Sequence, residues 1–334
     1  MSVRRARSAT ALLSRYCRRS SVFLLVGAAA AAAAAATSAA AQPAGGAASA
    51  RPEFAMENPA SGIYVHYGQQ AEMTPENGGD VANVGFVVGA RCVAVIDTGG
   101  TFAVGRALRQ AIRLVTSVPV CYVINTHAHP DHVFGNAAFV DDHPEFIGHD
   151  RLADALRSRG PNYLNALRRD LGDASQQSEI ILPTRSIKTS EALDLGGRAL
   201  ILRSWPTAHT DTDLTVFDEE SKTLWLGDLL FVGHVPVLDG NLRGFLAALK
   251  ELDAVRADRA VPGHGRAPDW PGALGPERRY LSRLLVDVVA AIKAKRTLTE
   301  TLALVPGEGG QWLLFEQFHR RNVTAAYAEL EWDD

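Results

Sequence analysis

Four side chains of metal-binding types lie within one six-residue segment, 127–132, with the sequence HAHPDH. They are His127, His129, Asp131 and His132. The segment follows an apolar run over 118–124, which we predict to be a buried strand. Histidines two residues apart on an extended chain lie on the same side, and neutral imidazole and carboxylate groups are ligands of Zn²⁺. Because such a crowded polar group is costly to bury unless it binds something, the segment predicts a metal site at the end of this strand.

Four further residues of the same chemical kinds follow predicted strands or lie between them. They are Asp97, His209, Asp228 and His264. Each alone is weak evidence, because a loop histidine or an aspartate at a strand end is common. Their order along the chain, on both sides of the 127–132 segment, indicates that strand ends from the whole domain supply one polar centre.

The elements that position these residues are predicted from the spacing of apolar side chains. The predicted strands are 62–67, 84–88, 92–96, 118–124, 200–205, 214–217 and 223–226. Helices are predicted over 102–115, over 149–171 with a break at Gly160-Pro161, and again after Pro271. A strand, a helix and a strand in succession form a unit with two parallel strands. We therefore expect a mixed α/β domain with two strand-rich halves.

The first 41 residues differ from the rest of the chain. They contain six arginines and no acidic residue, followed by a short apolar run over 22–26, an alanine tract and Ala39-Ala40-Ala41. This pattern is typical of a secretory signal peptide, and its strongly apolar part is too short to span a bilayer. We predict a periplasmic or secreted protein with no stable membrane anchor after cleavage of residues 1–41.

The charge of the remaining chain bears on its partners. Without residues 1–41, 28 lysines and arginines stand against 37 aspartates and glutamates, a formal net charge of −9. Nucleic acid is bound mainly through neutralisation of its phosphates, so we predict no nucleic-acid partner and a small-molecule substrate instead. Cys92 and Cys121 also remain. An exported pair can form a disulfide, but we favour two small buried side chains because a bridge demands specific geometry.

A family resemblance rests on the order of these residues. Asp97, the segment 127–132, His209, Asp228 and His264 resemble the five ordered motifs of the metallo-β-lactamase superfamily over about residues 60–270. The resemblance implies an αββα sandwich with the site at one edge. Together with the arginine- and alanine-rich start and an Ala-, Pro- and Gly-rich stretch after it, the resemblance divides the chain into a signal peptide (1–41), a flexible linker (42–58), a metallo-β-lactamase domain (59–275) and C-terminal helices that pack on the same domain (276–334).

The resemblance also implies the roles of the polar residues around two divalent metal ions, with zinc as the favoured metal. The implied ligands are His127, His129 and His209 for metal 1, and Asp131, His132 and His264 for metal 2, with Asp228 between the ions. Asp97 would lie behind the ligands and orient a histidine. The implied reaction is attack of a metal-bridging hydroxide on the carbonyl carbon of an ester, thioester, lactone or lactam, with Asp131 orienting the nucleophile.

Closer resemblances divide the superfamily. Aspartate at position 228 is similar to the glyoxalase-II-like hydrolases, whereas class B1 β-lactamases carry a cysteine in the corresponding stretch and no cysteine follows Cys121 here. The stretches 125–139, 227–245 and 318–332 resemble the exported zinc metallohydrolases of the quinoprotein relay group, which accompany periplasmic quinoprotein oxidation systems. β-Lactamase activity stays open as an alternative.

The ligand types leave the identity of the metal open. Histidine and aspartate also accept iron, so an iron-dependent redox enzyme similar to the persulfide dioxygenases stays open, as does a non-catalytic binding protein. Asn241 and Arg243 are candidate substrate contacts in a predicted loop over 238–245, where Arg243 would pair with a carboxylate. His234 is interpreted as an ordinary loop histidine.

Overall fold

The computed structural model describes residues 54–304 and 309–332. The predicted signal peptide and most of the predicted linker lie outside these residues. The strands are β1 (Glu57–Ala60), β2 (Ile63–His66), β3 (Val84–Val88), β4 (Val93–Ile96), β5 (Val120–Ile124), β6 (Glu145–His149), β7 (Arg185–Ile187), β8 (Ser190–Asp194), β9 (Ala199–Ser204), β10 (Leu214–Asp218), β11 (Thr223–Phe231) and β12 (Arg259–His264). The helices are α1 (Phe102–Val115), α2 (Pro130–Val133), α3 (Leu152–Leu171), α4 (Leu242–Leu252), α5 (Leu274–Lys293), α6 (Leu298–Thr301) and α7 (Phe315–Leu330).

The strands form two sheets. The first has the order β1-β2-β3-β4-β5-β6-β7 and is antiparallel from β1 to β4 and parallel from β4 to β7. The second has the order β12-β11-β10-β9-β8, in which β11 and β12 are parallel and the other pairs antiparallel. The predicted unit of two parallel strands joined by a helix is confirmed by β4, α1 and β5, since Ile96 pairs in parallel register with Ile124.

The two sheets pack face to face, and helices cover their outer faces. Ile96 and Ile124 of the first sheet lie in one buried apolar cluster with Leu202 and Val216 of the second. On the outer face of the first sheet, α1 buries Leu108 and Ile112, while α4, α5 and α7 cover the outer face of the second sheet. This confirms the predicted αββα sandwich. No helix in the described part of the chain is both long and apolar enough to cross a membrane.

Two predictions of local structure are wrong. Helix α3 runs without a break through Gly160-Pro161, because Pro161 lies on the exposed side and Gly160 packs closely on Ile180. Tertiary packing here outweighs the cost of an interior proline. Cys92 and Cys121 form a disulfide, with Cα atoms 5.5 Å apart, rather than two separate buried thiols. The bridge is possible because these cysteines lie beside the register pair that joins neighbouring parallel strands β4 and β5.

Candidate metal centre

The predicted ligands come from the ends of strands and the loops that follow them. Asp97 follows β4, and the segment 127–132 leads from β5 into the short helix α2. His209 lies in the loop between β9 and β10, and His264 ends β12. The carboxyl ends of adjacent parallel strands meet at one edge of a sheet, so these residues reach the same end of the sandwich.

The structure brings all seven predicted ligands together in two groups. His127, His129, His209 and Asp228 offer ligand atoms that all lie within 4.8 Å of one another, and Asp131, His132 and His264 do the same. We call His127, His129 and His209 the metal 1 set, and Asp131, His132 and His264 the metal 2 set. The family resemblance implies metal binding by these same residues, and their role as ligands stays a prediction.

The Asp228 carboxylate lies between the two sets. Its Oδ2 atom is 3.6 Å from Nε2 of His127 and 3.4 Å from Nε2 of His209. Its Oδ1 atom is 3.2 Å from Nε2 of His132 and 3.5 Å from Nε2 of His264. One carboxylate oxygen therefore faces each set, which is the arrangement required of a bridging ligand.

Two glycines allow Asp228 to take this position. Strand β11 continues five residues beyond its predicted end at 226, with an irregularity in its pairing at Gly227. Gly227 has φ 52°, and a Cβ atom there would lie 2.5 Å from Oγ1 of Thr126. A Cβ atom on Gly263 would lie 1.8 Å from Oδ1 of Asp228. Larger residues at either position would push the strand or the carboxylate out of place.

Backbone carbonyls orient two of the histidines. Nδ1 of His209 lies 2.7 Å from the carbonyl oxygen of Val237, and Nδ1 of His264 lies 3.0 Å from that of Val81. A carbonyl only accepts hydrogen bonds, so each Nδ1 carries the proton and donates it. In the neutral form of each ring, Nε2 then carries the lone pair, and this atom faces Asp228 and can bind a metal.

Asp97 orients histidines of both sets from a buried position. Its Oδ2 accepts from Nδ1 of His132 at 2.8 Å and from Oγ1 of Thr126 at 2.7 Å. Oγ1 of Thr126 is also 3.0 Å from Nδ1 of His127, and because its proton goes to Asp97 it accepts from this ring. Asp97 therefore contacts His132 directly and reaches His127 through Thr126.

The ring of His129 has the opposite orientation to those of the other histidines, with Nδ1 rather than Nε2 directed into the centre. Its Nδ1 faces Nε2 of His209 at 3.0 Å, and its Nε2 lies 3.0 Å from Oδ2 of Asp239. Asp239 is in turn 3.6 Å from a guanidinium nitrogen of Arg159, which pairs with Asp211 at 2.5 Å. Asp239 was not among the predicted site residues, because 110 residues separate it from His129. Its only signal is its place in the stretch 227–245 that resembles the quinoprotein relay group.

Three buried atoms of the centre indicate that it is built to hold cations. Nε2 of His127, Nε2 of His132 and Oδ1 of Asp228 are buried and have no hydrogen-bond partner among the described residues. Unpaired buried polar atoms are costly, and all three point into the space between the two sets. A divalent cation in each set would satisfy them, so these residues fit two metal ions.

Charge within the centre supports the same conclusion. Burial and the neighbouring His132 hold the pKa of His127 well below its ordinary value, so this ring is a neutral ligand. Burial also opposes a charge on His264, but the carboxylates of Asp228 and Asp131 outweigh it and raise the pKa of His264 to about 9. Without metal, therefore, this half of the centre binds protons that a divalent cation would displace.

The surroundings of the centre change two interpretations made from sequence. The predicted loop over 238–245 is wrong beyond Asn241, because Asn241 caps α4 by accepting from the backbone N–H of Gly244 at 2.6 Å and Arg243 lies exposed in its first turn. Substrate contact stays a prediction for both residues. His234 is no ordinary loop histidine: it is buried, and its ring stacks on that of His264 with centroids 5.2 Å apart.

Comparison with known families agrees with this geometry. The family model of the metallo-beta-lactamase superfamily matches residues 77–264, which is more than half of the chain. The chain belongs to this superfamily. Its members are typically metal-dependent hydrolases. A comparison with curated protein sequences gives no match.

Solved structures show the same fold at low sequence identity. A protein named TMB-1 is 19% identical with a TM-score of 0.55, and the match covers 70% of this chain and 98% of that one. An enzyme named metallo-beta-lactamase from Pontibacter korlensis is 18% identical with a TM-score of 0.55, covering 68% and 98%. One from Erythrobacter litoralis is 18% identical with a TM-score of 0.53, covering 70% and 97%. At such identity the likeness shows the fold alone.

Proposed function

We propose that this superfamily member is a dinuclear zinc-dependent hydrolase that cleaves a carbonyl compound: an ester, a thioester, a lactone or a lactam. One observation carries the proposal. The Asp228 carboxylate directs one oxygen to each histidine set, and unpaired nitrogens of His127 and His132 lie beside it. A centre for a single ion has no need of a carboxylate placed symmetrically between two sets.

The two ions, when bound, would acidify a shared water and polarise the substrate carbonyl. The residues of the chain set the direction of approach. The side chains of Asp131 and His129 are 18% and 16% exposed, while those of the other five ligands are at most 7% exposed. Substrate and water therefore enter past Asp131 and His129. At this opening the Asp131 carboxylate, whose Oδ2 lies 3.3 Å from Nε2 of His264, orients the attacking water by accepting its hydrogen bond.

The test combines metal analysis with a panel of substrates. We expect the purified protein to hold two zinc ions, to hydrolyse at least one ester, thioester, lactone or β-lactam, and to lose this activity on chelation and regain it with zinc. The variant His129→Ala should lose metal and activity together. His143→Asn is the matched control, because His143 is exposed and has φ 52°, a conformation that asparagine tolerates. Bound iron with little zinc would instead favour a redox enzyme, and full zinc without turnover would favour a binding protein.

A β-lactam belongs in the panel for a specific reason. Two of the solved structures named above, those from Pontibacter korlensis and Erythrobacter litoralis, are described as metallo-β-lactamases. The aspartate at position 228, in contrast, supports a glyoxalase-II-like or quinoprotein-linked substrate. Turnover numbers for a thioester and a β-lactam, compared at equal zinc loading, would distinguish these two candidates.

We also propose that the protein acts in the periplasm or outside the cell, in connection with a quinoprotein oxidation system. The disulfide between Cys92 and Cys121 supports this location, because disulfides persist mainly in oxidising compartments. The formal charge of −9 without residues 1–41 supports a small-molecule substrate rather than nucleic acid. Expressed in a bacterium, the exported protein should begin near Gln42. An intact Met1 on the mature material would contradict cleavage.

A further inference from the structure

One loop orients two of the three histidines in the metal 1 set. We call residues 235–241, between β11 and α4, the orienting loop. Its Val237 carbonyl accepts from Nδ1 of His209 at 2.7 Å, and its Asp239 carboxylate lies 3.0 Å from Nε2 of His129. The backbone N–H of Asp239 also donates to the carbonyl of His209 at 3.0 Å. The position of metal 1 therefore depends on the shape of this loop.

A residue of α7 holds the centre of the orienting loop. The buried amide of Asn322 donates through Nδ2 to the Pro236 carbonyl at 2.6 Å, and its Oδ1 accepts from the backbone N–H of Leu238 at 2.9 Å. These two hydrogen bonds lie on either side of Val237, the residue that orients His209. Nδ2 also donates to the Tyr280 hydroxyl at 2.9 Å, so every polar atom of the amide is used.

The two ends of the loop are held from the same C-terminal region. At its start, the backbone N–H of Val235 donates to the Leu313 carbonyl at 3.0 Å. At its end, the Glu329 carboxylate accepts from the backbone N–H of Leu242 at 2.5 Å and from that of Arg243 at 3.3 Å. Asn322 and Glu329 are seven residues apart on α7, which places them on one face of the helix.

The metal 2 set has different supports. His132 is held by Asp97, and His264 is held by the carbonyl of Val81. Both supports lie in the first part of the domain, and neither is bonded to α7 in the described part of the chain. A disturbance of α7 therefore reaches metal 1 through a short path of hydrogen bonds. Its path to metal 2 has only ring contacts, from Phe318 of α7 through His234 to His264, and these do not fix the direction of a ring nitrogen as a hydrogen bond does.

We propose that Asn322 is a positioning residue for metal 1, and that α7, which lies beyond the match to the family model at residue 264, forms part of the metal 1 site. The proposal rests on the two-metal centre of the proposed function. Asn322 acts through the orienting loop and touches neither metal nor substrate. Its loss lets Val237 and Asp239 move, which frees the rings of His209 and His129 to rotate away from the ion.

The test measures the zinc affinity of each set separately, by competition with a chromophoric chelator. His264→Ala leaves the metal 1 set as the stronger site, and His209→Ala leaves the metal 2 set. Losing an outer support of a ligand costs about 10–100-fold in metal affinity. We expect Asn322→Ala to weaken zinc binding by about 10-fold or more in the His264→Ala background and by less than about 3-fold in the His209→Ala background.

Two further variants keep the test decisive. Val323→Ala is the matched control, because Val323 is the next residue of α7, is buried, and packs in the apolar core without bonding to the loop. It should lower the melting temperature without changing the ratio of the two affinities. Glu329→Ala changes a half-buried position and should also lower the zinc affinity of the metal 1 set. It replaces Asn322→Ala in the test if that variant fails to fold.

Equal weakening of both sets by Asn322→Ala, or an equal loss of metal 1 affinity in Val323→Ala, would overturn the proposal. The readout is independent of hydrolysis. If the wild-type protein binds two zinc ions and hydrolyses nothing, the proposed function fails while the role of Asn322 stands or falls on the affinities alone.

Discussion

The metal 1 and metal 2 sets share Asp228 and the support of Asp97, but their remaining supports come from different parts of the molecule. His132 and His264 of the metal 2 set are held by Asp97 after β4 and by the carbonyl of Val81. His129 and His209 of the metal 1 set are held by the orienting loop, which α7 supports in turn. Two neighbouring ions can thus depend to different degrees on the same regions of the fold, and we expect a substitution in the orienting loop or α7 to lower the affinity for metal 1 more than that for metal 2.

The largest effect is expected where the two sets meet. Asp228→Asn keeps the shape of the side chain but removes the charge that faces both sets. We expect the affinity for each zinc ion to fall by at least about 100-fold, which is more than the loss of an outer support causes, and we expect activity to be lost. Metal content after dialysis against a chelator measures this. If only one ion is lost, Asp228 binds a single ion, and the proposal that it serves both sets is wrong.

Smaller losses of zinc affinity are expected when a residue that orients the ligands is replaced, and their pattern should differ between Asp97 and Asp239. Asp97 reaches His132 directly and His127 through Thr126, whereas Asp239 reaches His129 alone. We expect Asp97→Asn to lower the zinc affinity of both sets by about 10–100-fold. Asp239→Asn should lower the zinc affinity of the metal 1 set alone, by about 10-fold or less. The side chain of Asp239 is 45% exposed, so water can replace part of its role.

Asparagine is the suitable replacement at position 97. Asp97 has φ 53°, a left-handed conformation in which asparagine is tolerated and alanine is strained. Zinc affinities measured in the two single-set backgrounds check the prediction. If Asp239→Asn lowers the zinc affinity of both sets equally, Asp239 does not act on the metal 1 set alone.

The disulfide allows a change of stability without a change in either set. It joins β4 and β5 away from the strand ends that carry Asp97 and the segment 127–132. For a separation of 29 residues, replacing both cysteines by serine should lower the free energy of unfolding by about 2–4 kcal/mol. Denaturant unfolding at equal zinc loading measures this. The zinc affinities should stay unchanged, and a selective loss of metal 2 would show that the first sheet transmits strain to that set.

The smallest expected effect is a change of stability on replacing the buried acid Glu277. Glu277 at the start of α5 is fully buried, neither carboxylate oxygen has a hydrogen-bond partner among the described residues, and burial raises its pKa well above the ordinary value. In the unfolded chain the carboxyl ionises near pH 4.3, so raising the pH above this value favours unfolding. Glu277→Met should therefore stabilise the metal-free protein by about 1–3 kcal/mol at pH 7.

The pH dependence separates this effect from packing. At pH 4 the carboxyl is protonated in the folded chain and mostly protonated in the unfolded chain, so the advantage of Glu277→Met should be much smaller than at pH 7. Thermal unfolding of both proteins at pH 4 and pH 7 measures it. An advantage that is equal at both values would assign the effect to apolar packing rather than to the acid.

The sequence was sufficient to predict the fold and to predict that seven polar side chains would meet. Strand patterns followed by histidines and aspartates place these groups at one end of a sandwich, and their order resembles that of the family. The supports were harder to predict. Val237 and Val81 act through backbone carbonyls, which leave no mark on residue type, and Asn322 is far in sequence from the loop that it holds.

Local rules failed where tertiary contacts outweighed them. Gly160-Pro161 predicts a helix break, but packing on Ile180 keeps α3 continuous. Asn241 reads as a loop residue that is available to substrate, although its side chain is occupied in capping α4. The spacing of Cys92 and Cys121 carries no information about pairing, because the bridge depends on the register between two strands.

The central claim, two ions that share one carboxylate, is tested most directly by anomalous scattering at the zinc edge from crystals of the zinc-loaded protein. We predict two peaks, one among His127, His129 and His209 and one among Asp131, His132 and His264, with an Asp228 oxygen directed to each. A single peak, or two peaks with Asp228 bound to only one of them, would contradict the claim.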